Sequence, residues 1–370
     1  MLQNEKWIFE AWDRTVQKVK DNSKRIGDKF PHVSINGKYD SADIRWWTNG
    51  YWPGLLWLIY RDNGDEALKE IAMSCEEKLD EALYGFYGLG HDVGFTWIMS
   101  AVAHYKTQKN EDSKRRALIA ASYLASRFNI NGRFIRAWDM EEATGWAIID
   151  CLMNLPLLYW ASEAEKDDRF KFIAMAHADT VLKEFIRADG STYHVVCFDP
   201  ETGERTGALQ GQGYAQESAW SRGVAWAVYG MAISYQHTGE KRYLEGAKKA
   251  ADYFIANLPD DYVPYWDFKA PLEEEMIRDS SAAACAASGL LEISDSVEAS
   301  EKSVYYNAAL KITKSLYENY SAWDEEEEGL LVKGTVAYSH KPQVHIPIIY
   351  GDFYFVETLA KLKGQKSLYL

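Results

Sequence analysis

Two kinds of helical segment alternate along this sequence, and their alternation restricts the fold more than any other feature. In one kind the apolar residues form a single stripe, as in Glu66–Leu83, where Leu68, Ala72 and Leu79 share a face opposite the charged residues. Similar windows recur near residues 5–20, 112–128, 166–186, 240–257 and 301–320. The other kind is apolar nearly all round and rich in Gly, Ala and aromatic residues. Its members are TNGYWPGLLWLIY, HDVGFTWIMSAVAHY, TGWAIIDCLMNLPLLYWA, WSRGVAWAVYGMAISY, RDSSAAACAASGLLEIS and IPIIYGDFYFVETLAKL.

This alternation predicts six surface helices around six buried ones. One-sided apolarity is typical of a surface helix, and all-round apolarity is typical of a buried one. Because the surface–buried pair recurs about every sixty residues, we expect an all-α (α/α)6 barrel with six inner and six outer helices. An open α-solenoid is the alternative, but its repeats would be shorter and more regular.

The remaining sequence indicates one domain with a short β-element. No Gly/Ser-rich or Pro-rich linker interrupts the repeats, so we expect a single catalytic domain over residues 1–370. Thr192–Val196 is β-prone, and DPETG at 199–203 is typical of a turn. We therefore expect a hairpin within the long loop Asp189–Gln216.

The charge balance excludes several classes of partner. There are 41 basic and 55 acidic side chains, so the net charge is −14. A nucleic-acid binder needs a basic face, and a polybasic membrane anchor needs a basic cluster. No apolar stretch has the length of a membrane span or a signal peptide, so we read no export signal and expect a cytoplasmic protein. The four cysteines form no CxxC pair, which argues against a disulfide frame or a thiolate zinc site.

The aromatic content suits a pocket for sugars or a protein interface. The chain has 14 Trp, 24 Tyr and 14 Phe, and such side chains favour flat rings with polar edges. Trp47, Trp138, Trp220 and Trp226 are candidates to stack on a sugar, although a Trp at helical spacing is more often part of the core. The sequence has no GxGxxG, P-loop or GxSxG motif, so phosphate cradles and a serine-hydrolase elbow are unsupported.

Two aspartates are candidates for acid–base chemistry. Asp150 stands in the apolar run AIIDCLMNLPLL, where burial would raise the pKa of its carboxyl, as a general acid requires. The plainer interpretation is a capping or hydrogen-bonded core Asp. Asp92 follows His91 just before a buried helix, and an Asp there is often an N-cap. The His91–Asp92 pair lacks the i, i+4 spacing of helical zinc motifs, so we expect no metal.

Arg222 opens another buried segment beside two tryptophans. Guanidinium groups hold carboxylates in bidentate fashion, so Arg222 is a candidate for gripping an acidic substrate. The structural alternative is a salt bridge to a neighbour such as Asp352 or Glu217.

Short motifs stand in a fixed order along nearly the whole chain. They are DKFPHVS at 28–34, WTNGYWPGLLW at 47–57, HDVGF at 91–95, IIDCLMNLPLLYWA at 148–161, STYHVVCFDPETG at 191–203, AWSRGVAWAVYG at 219–230, YWDFKAP at 265–271, RDSSAAA at 278–284 and GDFYFVETL at 351–359. In this order and spacing the chain resembles the unsaturated glucuronyl hydrolases of glycoside hydrolase family 88.

The resemblance implies an (α/α)6 barrel with a two-Asp active site. Asp92 matches the first catalytic Asp, in the HD(V/L/I)GF motif, and Asp150 matches the second, the general acid and base, in IIDC(L/M)xN. The implied reaction hydrates the C4=C5 double bond that polysaccharide lyases leave in the terminal uronic acid of glycosaminoglycan oligosaccharides, without a metal or other cofactor. The positions that contact substrate in the family fall on Trp47, His91, Trp138, His194, Gln212, Arg222 and Trp226.

One stretch departs from the family pattern. Some members read sulfate with a Ser-x-x-Ser-x-Lys signature, and here VAYSHK stands at 336–341. Ser339 and Lys341 fit as substrate-binding residues, but Val336 replaces the first Ser, so we expect altered sulfate recognition. The sulfation preference and the oligomeric state stay open.

Two alternatives remain at this stage. The sister family 105, the unsaturated rhamnogalacturonyl hydrolases, shares the fold and the acid Asp, although the stretches around His194 and Arg222 favour family 88. A catalytically inactive sugar-binding barrel is the other, and retention of both Asp92 and Asp150 argues against it.

Overall fold

The chain folds into a double ring of helices. The structure is a computed structural model, and it describes residues 5–271, 276–323, 326–338 and 343–370. The helices of these residues are α1 (Lys6–Ile26), α2 (Tyr51–Asn63), α3 (Glu66–Lys78), α4 (Asp80–Gly85), α5 (Val93–Trp97), α6 (Ala103–Gln108), α7 (Glu111–Ser126), α8 (Pro156–Glu165), α9 (Arg169–Glu184), α10 (Ser221–Thr238), α11 (Lys241–Ala256), α12 (Ser280–Ser296), α13 (Ala299–Asn319) and α14 (Ile349–Leu362). A π-helical turn, Ile98–Val102, joins α5 to α6.

The inner helices close on themselves. α2, α5–α6, α8, α10, α12 and α14 pack in chain order, and α14 returns to pack against α2. Each outer helix covers one inner partner: α3 lies on α2, α7 on α5, α9 on α8, α11 on α10, α13 on α12 and α1 on α14. This closed arrangement confirms the predicted (α/α)6 barrel and excludes the open solenoid.

Burial follows the sequence pattern that predicted it. Every residue of α10 from Ser221 to Ser234 is buried, whereas α11 buries only one stripe, which includes Tyr243, Ala247 and Phe254. Burying an all-round apolar helix removes its entire side-chain surface from water, which is the main favourable term in folding. One apolar core draws members from all twelve inner and outer positions. The single domain over 1–370 stays a prediction.

Short strands line the loops between helices. They are β1 (Ser34–Ile35), β2 (Lys38–Tyr39), β3 (Phe128–Asn129), β4 (Phe134–Ile135), β5 (Trp146–Ile148), β6 (Val195–Phe198), β7 (Arg205–Leu209), β8 (Gly334–Thr335) and β9 (Val344–Ile346). β6 and β7 pair antiparallel around the 199–203 turn, which confirms the predicted hairpin. β5 adds a third strand along β6.

The third buried segment differs from the expected continuous helix. Residues 144–161 begin as β5, continue as the 3₁₀ turn Ile149–Met153, and become α-helical only at Pro156. The aromatic and β-branched residues of WAII are favoured in strands. Proline is favoured at the first position of a helix, which is where α8 begins. Asp150 therefore lies in a tight turn that follows a strand, not within a helix.

None of the helices in the described ranges has both the length and the apolarity needed to cross a membrane.

Candidate active site

The two candidate aspartates lie in short 3₁₀ turns that precede neighbouring inner helices. Asp92 ends the turn Gly90–Asp92 just before α5, and Asp150 lies in the turn before α8. Their side chains keep only 17% and 13% of their surface exposed. Asn154 joins the two turns, because its Nδ2 donates to Asp92 Oδ1 at 3.4 Å and to the carbonyl oxygen of Asp150 at 3.3 Å.

The pKa of Asp150 lies below its usual value. Burial is the largest single cause and raises this pKa. The interaction with His194, whose Nε2 is 3.5 Å from Asp150 Oδ2, and the positive charge of Arg222 are among the causes that lower it, and these causes together outweigh burial. Our expectation of a raised pKa for Asp150 is therefore wrong for the protein alone. The apolar run around Asp150 predicts the desolvation of its carboxyl. His194, which opposes the effect of desolvation, comes from a different loop.

The pKa of Asp92 shifts the other way, to about 7. Burial is the largest cause, and the negative charge of Asp150 is the next; the hydrogen bond from Asn154 acts in the opposite sense. Two carboxyls that interact in a buried site cannot both ionise easily, so one keeps a proton. Below about pH 7 that proton resides on Asp92.

His194 is held in one tautomer. The backbone N–H of Gln212 donates to its Nδ1 at 2.7 Å, so the ring hydrogen of the neutral imidazole is on Nε2 and faces Asp150. Gly211 permits this approach: its φ is +58°, and a Cβ at this position would collide with the imidazole ring.

His91 is completely buried beside the first aspartate. Its Nε2 lies 3.3 Å from Asp92 Oδ1, and burial lowers the pKa of its ring to about 3. The imidazole is therefore neutral. It lies beside Asp92 without carrying a positive charge, and its contact with substrate stays a prediction.

Arg222 is buried and its guanidinium is occupied by protein acceptors. Nη1 donates to Asp279 Oδ2 at 2.7 Å and to the carbonyl oxygen of Thr335. Nη2 donates to Gln212 Oε1 at 2.8 Å and to the carbonyl oxygen of Val336. The four Nη hydrogens thus point to protein oxygens, and none is left for a forked grip on a substrate carboxylate. Contact between Arg222 and substrate stays a prediction.

The suggested salt-bridge partners of Arg222 were wrong. Asp352 instead accepts hydrogen bonds from Tyr39 Oη and from the backbone N–H groups of Leu330 and Leu331. Glu217 is exposed and lies near Arg187. The actual partner, Asp279, also caps α12 through its other carboxylate oxygen.

The candidate tryptophans divide into two groups. Trp47 and Trp138 are half-buried and therefore present ring surface on which a sugar can stack. Trp226 is fully buried against Phe95 and Tyr354, at ring distances of 5.4 and 5.6 Å. Its ring offers no exposed face, as expected of a core Trp, and its contact with substrate stays a prediction.

Trp220, the fourth candidate, supports other site residues. It is buried, its ring lies 4.5 Å from that of His194, and the guanidinium of Arg222 lies over it at 4.6 Å. A buried ring in contact with both of these residues positions them instead of presenting a face to a sugar.

Ser339 and Lys341, the candidates for sulfate recognition, lie outside the described residues. Within the described ranges, no group of three or more His, Cys, Asp and Glu side chains is arranged to hold a metal ion.

Sequence reasoning missed two residues beside this site. The ring of Tyr350, at the start of α14, lies 5.1 Å from that of Trp47, and the Arg222 guanidinium lies 5.1 Å from its centre. His32 is buried in edge contact with Trp46, and burial lowers the pKa of its ring to about 4. His32 falls within the DKFPHVS motif, which was the available signal.

Comparison with known proteins gives a matching family profile and several similar enzymes. The profile of Glycosyl Hydrolase Family 88 matches residues 18–367. The unsaturated glucuronyl hydrolase of Bacillus sp. (strain GL1) is 39% identical over 350 residues, which are 92% of this chain and 93% of the relative. The crystal structure of the Bacillus sp. GL1 enzyme, described as responsible for the degradation of glycosaminoglycan, has a TM-score of 0.93 at 38% identity, over 96% of this chain and 97% of that chain.

Two streptococcal proteins are also similar. The unsaturated chondroitin disaccharide hydrolase of Streptococcus pyogenes serotype M1 is 34% identical over 361 residues, 96% of this chain and 90% of the relative. A variant of the Streptococcus agalactiae unsaturated glucuronyl hydrolase, complexed with dGlcA-GalNAc6S, has a TM-score of 0.86 at 30% identity, over 98% of this chain and 93% of that chain. These matches confirm the resemblance seen in the sequence and the prediction of a hydrolase of the unsaturated glucuronyl type. The chain belongs to glycosyl hydrolase family 88.

Proposed function

We propose that this enzyme releases unsaturated glucuronic acid from the non-reducing end of glycosaminoglycan oligosaccharides made by polysaccharide lyases. The substrates are short oligosaccharides of the chondroitin, hyaluronan or heparin type. The bond attacked first is the C4=C5 double bond of the terminal sugar, a vinyl ether.

The observation that carries this proposal is a buried pair of carboxyls with opposite pKa shifts. Asp150 is ionised beside His194, and Asp92 keeps its proton up to about pH 7. Such a divergence is how a site assigns different roles to two chemically identical groups.

The substrate supplies what Asp150 needs to act as an acid. Its uronate carboxylate brings a negative charge into the site, and the sugar displaces water. Both changes raise the pKa of a nearby carboxyl. Protonated Asp92 carries no charge, so it does not repel the uronate. We propose that Asp150 takes up a proton when the substrate binds.

Asp150 then acts twice. It protonates C4, and positive charge develops at C5 and the ring oxygen. The ionised Asp150 next takes a proton from a water molecule, whose oxygen adds to C5. The resulting hemiketal rearranges, the ring opens, and the neighbouring sugar leaves. Asp150 gives one proton to C4 and takes one proton from water, so its carboxyl is protonated again at the end of the reaction.

The side chains around the pair supply binding. Trp47 and Trp138 present half-buried indole rings as platforms for sugars. His194 orients Asp150, and Gln212 fixes His194 through its backbone while its side chain accepts from Arg222. Arg222 contributes positive charge to the site even though its hydrogens bond the protein.

A panel of four unsaturated disaccharides tests the proposal. The conjugated double bond absorbs in the ultraviolet, and this absorbance disappears on turnover. We expect loss of absorbance with the chondroitin, hyaluronan or heparin disaccharide. Turnover of the rhamnogalacturonan disaccharide alone would support the sister family's activity, and no turnover of any of them would support an inactive sugar-binding barrel.

The cytoplasm stays the compartment that we propose. In support, Cys75, Cys151, Cys197 and Cys285 are all free thiols, as is usual in a reducing environment.

A further inference from the structure

Asn154 makes three hydrogen bonds that join the two candidate catalytic turns. It is fully buried at the end of the 3₁₀ turn that holds Asp150. Its Oδ1 accepts from the backbone N–H of Phe95 at 2.8 Å, and its Nδ2 donates to Asp92 Oδ1 and to the carbonyl oxygen of Asp150. The two amide hydrogens are thus both directed at the catalytic turns.

The orientation of this amide is fixed by its acceptor end. The N–H of Phe95 can donate only to an oxygen, so Oδ1 must face it, and Nδ2 must face Asp92. The backbone is shaped for the contact as well. Gly94 packs directly on Asn154, and a Cβ at Gly94 would collide with its side chain. The motifs HDVGF and IIDCLMN are therefore in direct contact, through Gly94 and Phe95 of the first and Asn154 of the second.

Asp92 Oδ1 therefore faces two nitrogen atoms. One is Nδ2 of Asn154, which is always a donor, and the other is Nε2 of His91 at 3.3 Å. An oxygen that accepts a hydrogen bond from an amide is the unfavourable place for the acid proton. The proton of a neutral Asp92 is then directed to Oδ2.

We infer that Asn154 is a positioning residue of the reaction: by donating to Oδ1 of Asp92 it makes that oxygen an acceptor, sends the acid proton to Oδ2, and ties the carboxyl to the turn that carries Asp150. This inference rests on the proposed function for its catalytic consequence, but not for its effect on Asp92. The residue acts through Asp92 and Asp150 and needs no contact with substrate.

The inference predicts the direction in which the pKa of Asp92 shifts when Asn154 is replaced. The hydrogen bond from Asn154 lowers the pKa of Asp92 against burial and against the charge of Asp150. Removing the donor raises that pKa further, so the carboxyl pair keeps its proton to higher pH.

Asn154→Ser, which adds no charge, is the test variant. Asn49→Ser is the matched control, because Asn49 is also buried but its Nδ2 donates only to the backbone carbonyl oxygens of Asp43 and Ile44.

With unsaturated chondroitin disaccharide, we expect Asn154→Ser to move the alkaline limb of kcat/KM upward by about one pH unit, a tenfold change in the proton equilibrium. kcat should fall by roughly tenfold or more as Asp92 loses its fixed geometry. The control should lower Tm without moving the pH profile.

The pH dependence of Tm reads the same ionisation without substrate. Because the folded pKa of Asp92 is raised, stability falls as pH rises from the usual value of 3.8 to the folded value, and in Asn154→Ser this fall should extend to higher pH. If Asn154→Ser does not fold, Asn154→Thr, which is closer to Asn in volume and also adds no charge, should shift both profiles in the same direction. A folded variant at position 154 with unmoved profiles would overturn the inference. An inactive wild-type enzyme would overturn the proposed function instead, because the Tm profiles would still report on Asp92.

Discussion

His194 Nε2 lies 3.5 Å from Asp150 Oδ2, while the backbone N–H of Gln212 donates a hydrogen bond to Nδ1 of the same ring. This relationship contributes to the charge state of the site. A neutral imidazole that can only donate toward Asp150 stabilises the carboxylate form, and the pKa of Asp150 is lowered despite burial. The proton of the pair is left on Asp92.

Gly211→Ala should disturb this relationship specifically. A methyl group at position 211 collides with the His194 ring, and alanine disfavours the positive φ. We expect kcat/KM to fall on the order of 10–100-fold, because a catalytic group is displaced. Gly239→Ala is the control, since Gly239 has a φ of +71° with open space around it. It should cost stability alone, and equal activity in the two variants would remove His194 from its orienting role.

Arg222→Lys should affect folding more than substrate binding. A lysine ammonium cannot reach Asp279, Gln212 and the two backbone carbonyl oxygens together. We expect a loss of up to about 3–5 kcal/mol in the free energy of unfolding, typical of a disrupted buried ion pair. Arg242→Lys, at a half-exposed pair with Asp179, should lose less than about 1 kcal/mol. A tenfold rise in KM with unchanged Tm would mean instead that Arg222 grips the substrate.

Asp92→Asn should stabilise the protein at alkaline pH. In the folded chain the pKa of Asp92 is about 7, raised from a usual value of 3.8. The stability associated with this group is present below the lower value and is lost as pH rises through the higher one. The loss is on the order of 4 kcal/mol at most, by the free energy of one pKa unit.

Melting temperatures at about pH 5 and about pH 8 check this expectation. The difference between the melting temperatures at these two pH values should shrink in Asp92→Asn. It should persist in Asp13→Asn, a control at an exposed carboxyl on α1. An unchanged gap in Asp92→Asn would mean that Asp92 is already ionised near neutral pH.

The helical rings could be predicted because burial follows periodicity. Whether a segment such as Ser221–Ser234 is apolar all round or striped can be read from the chain itself. The residues 146–149 could not be assigned in this way, since a short apolar run with β-branched residues fits a helix or a strand equally well. Pairing with Val195–Phe198 decides it, and that strand lies in a distant loop.

That Asp92 and Asp150 lie together at the starts of inner helices could be predicted from the sequence, whereas their proton affinities could not. Desolvation of Asp150 is visible in its apolar neighbours, but the sign of the pKa shift depends on His194, which the fold brings from 44 positions away. The partner of Arg222 was missed for the same reason: Asp279 is 57 positions away. Sequence patterns identify which side chains could take part in acid–base chemistry. The tertiary contacts of those side chains decide whether they are charged.

Chelation should leave turnover intact. In the proposed reaction Asp150 moves the proton in both directions, and no step requires a Lewis acid. We expect kcat to stay unchanged after exhaustive dialysis against EDTA. Loss of activity, followed by recovery with one divalent ion and not with others, would contradict the roles proposed for Asp92 and Asp150.

Replacing Asp150 with Asn tests the central proposal most directly. The substitution keeps the shape of the side chain and removes the proton donor. The measurement is the decay of ultraviolet absorbance of an unsaturated chondroitin disaccharide, with Tm recorded on the same sample. Asp199→Asn, in the turn of the β6–β7 hairpin, is the control and should retain full turnover. We expect the rate of Asp150→Asn to fall by roughly 10²–10⁴-fold with the fold intact; near-normal turnover by the folded variant would contradict the mechanism.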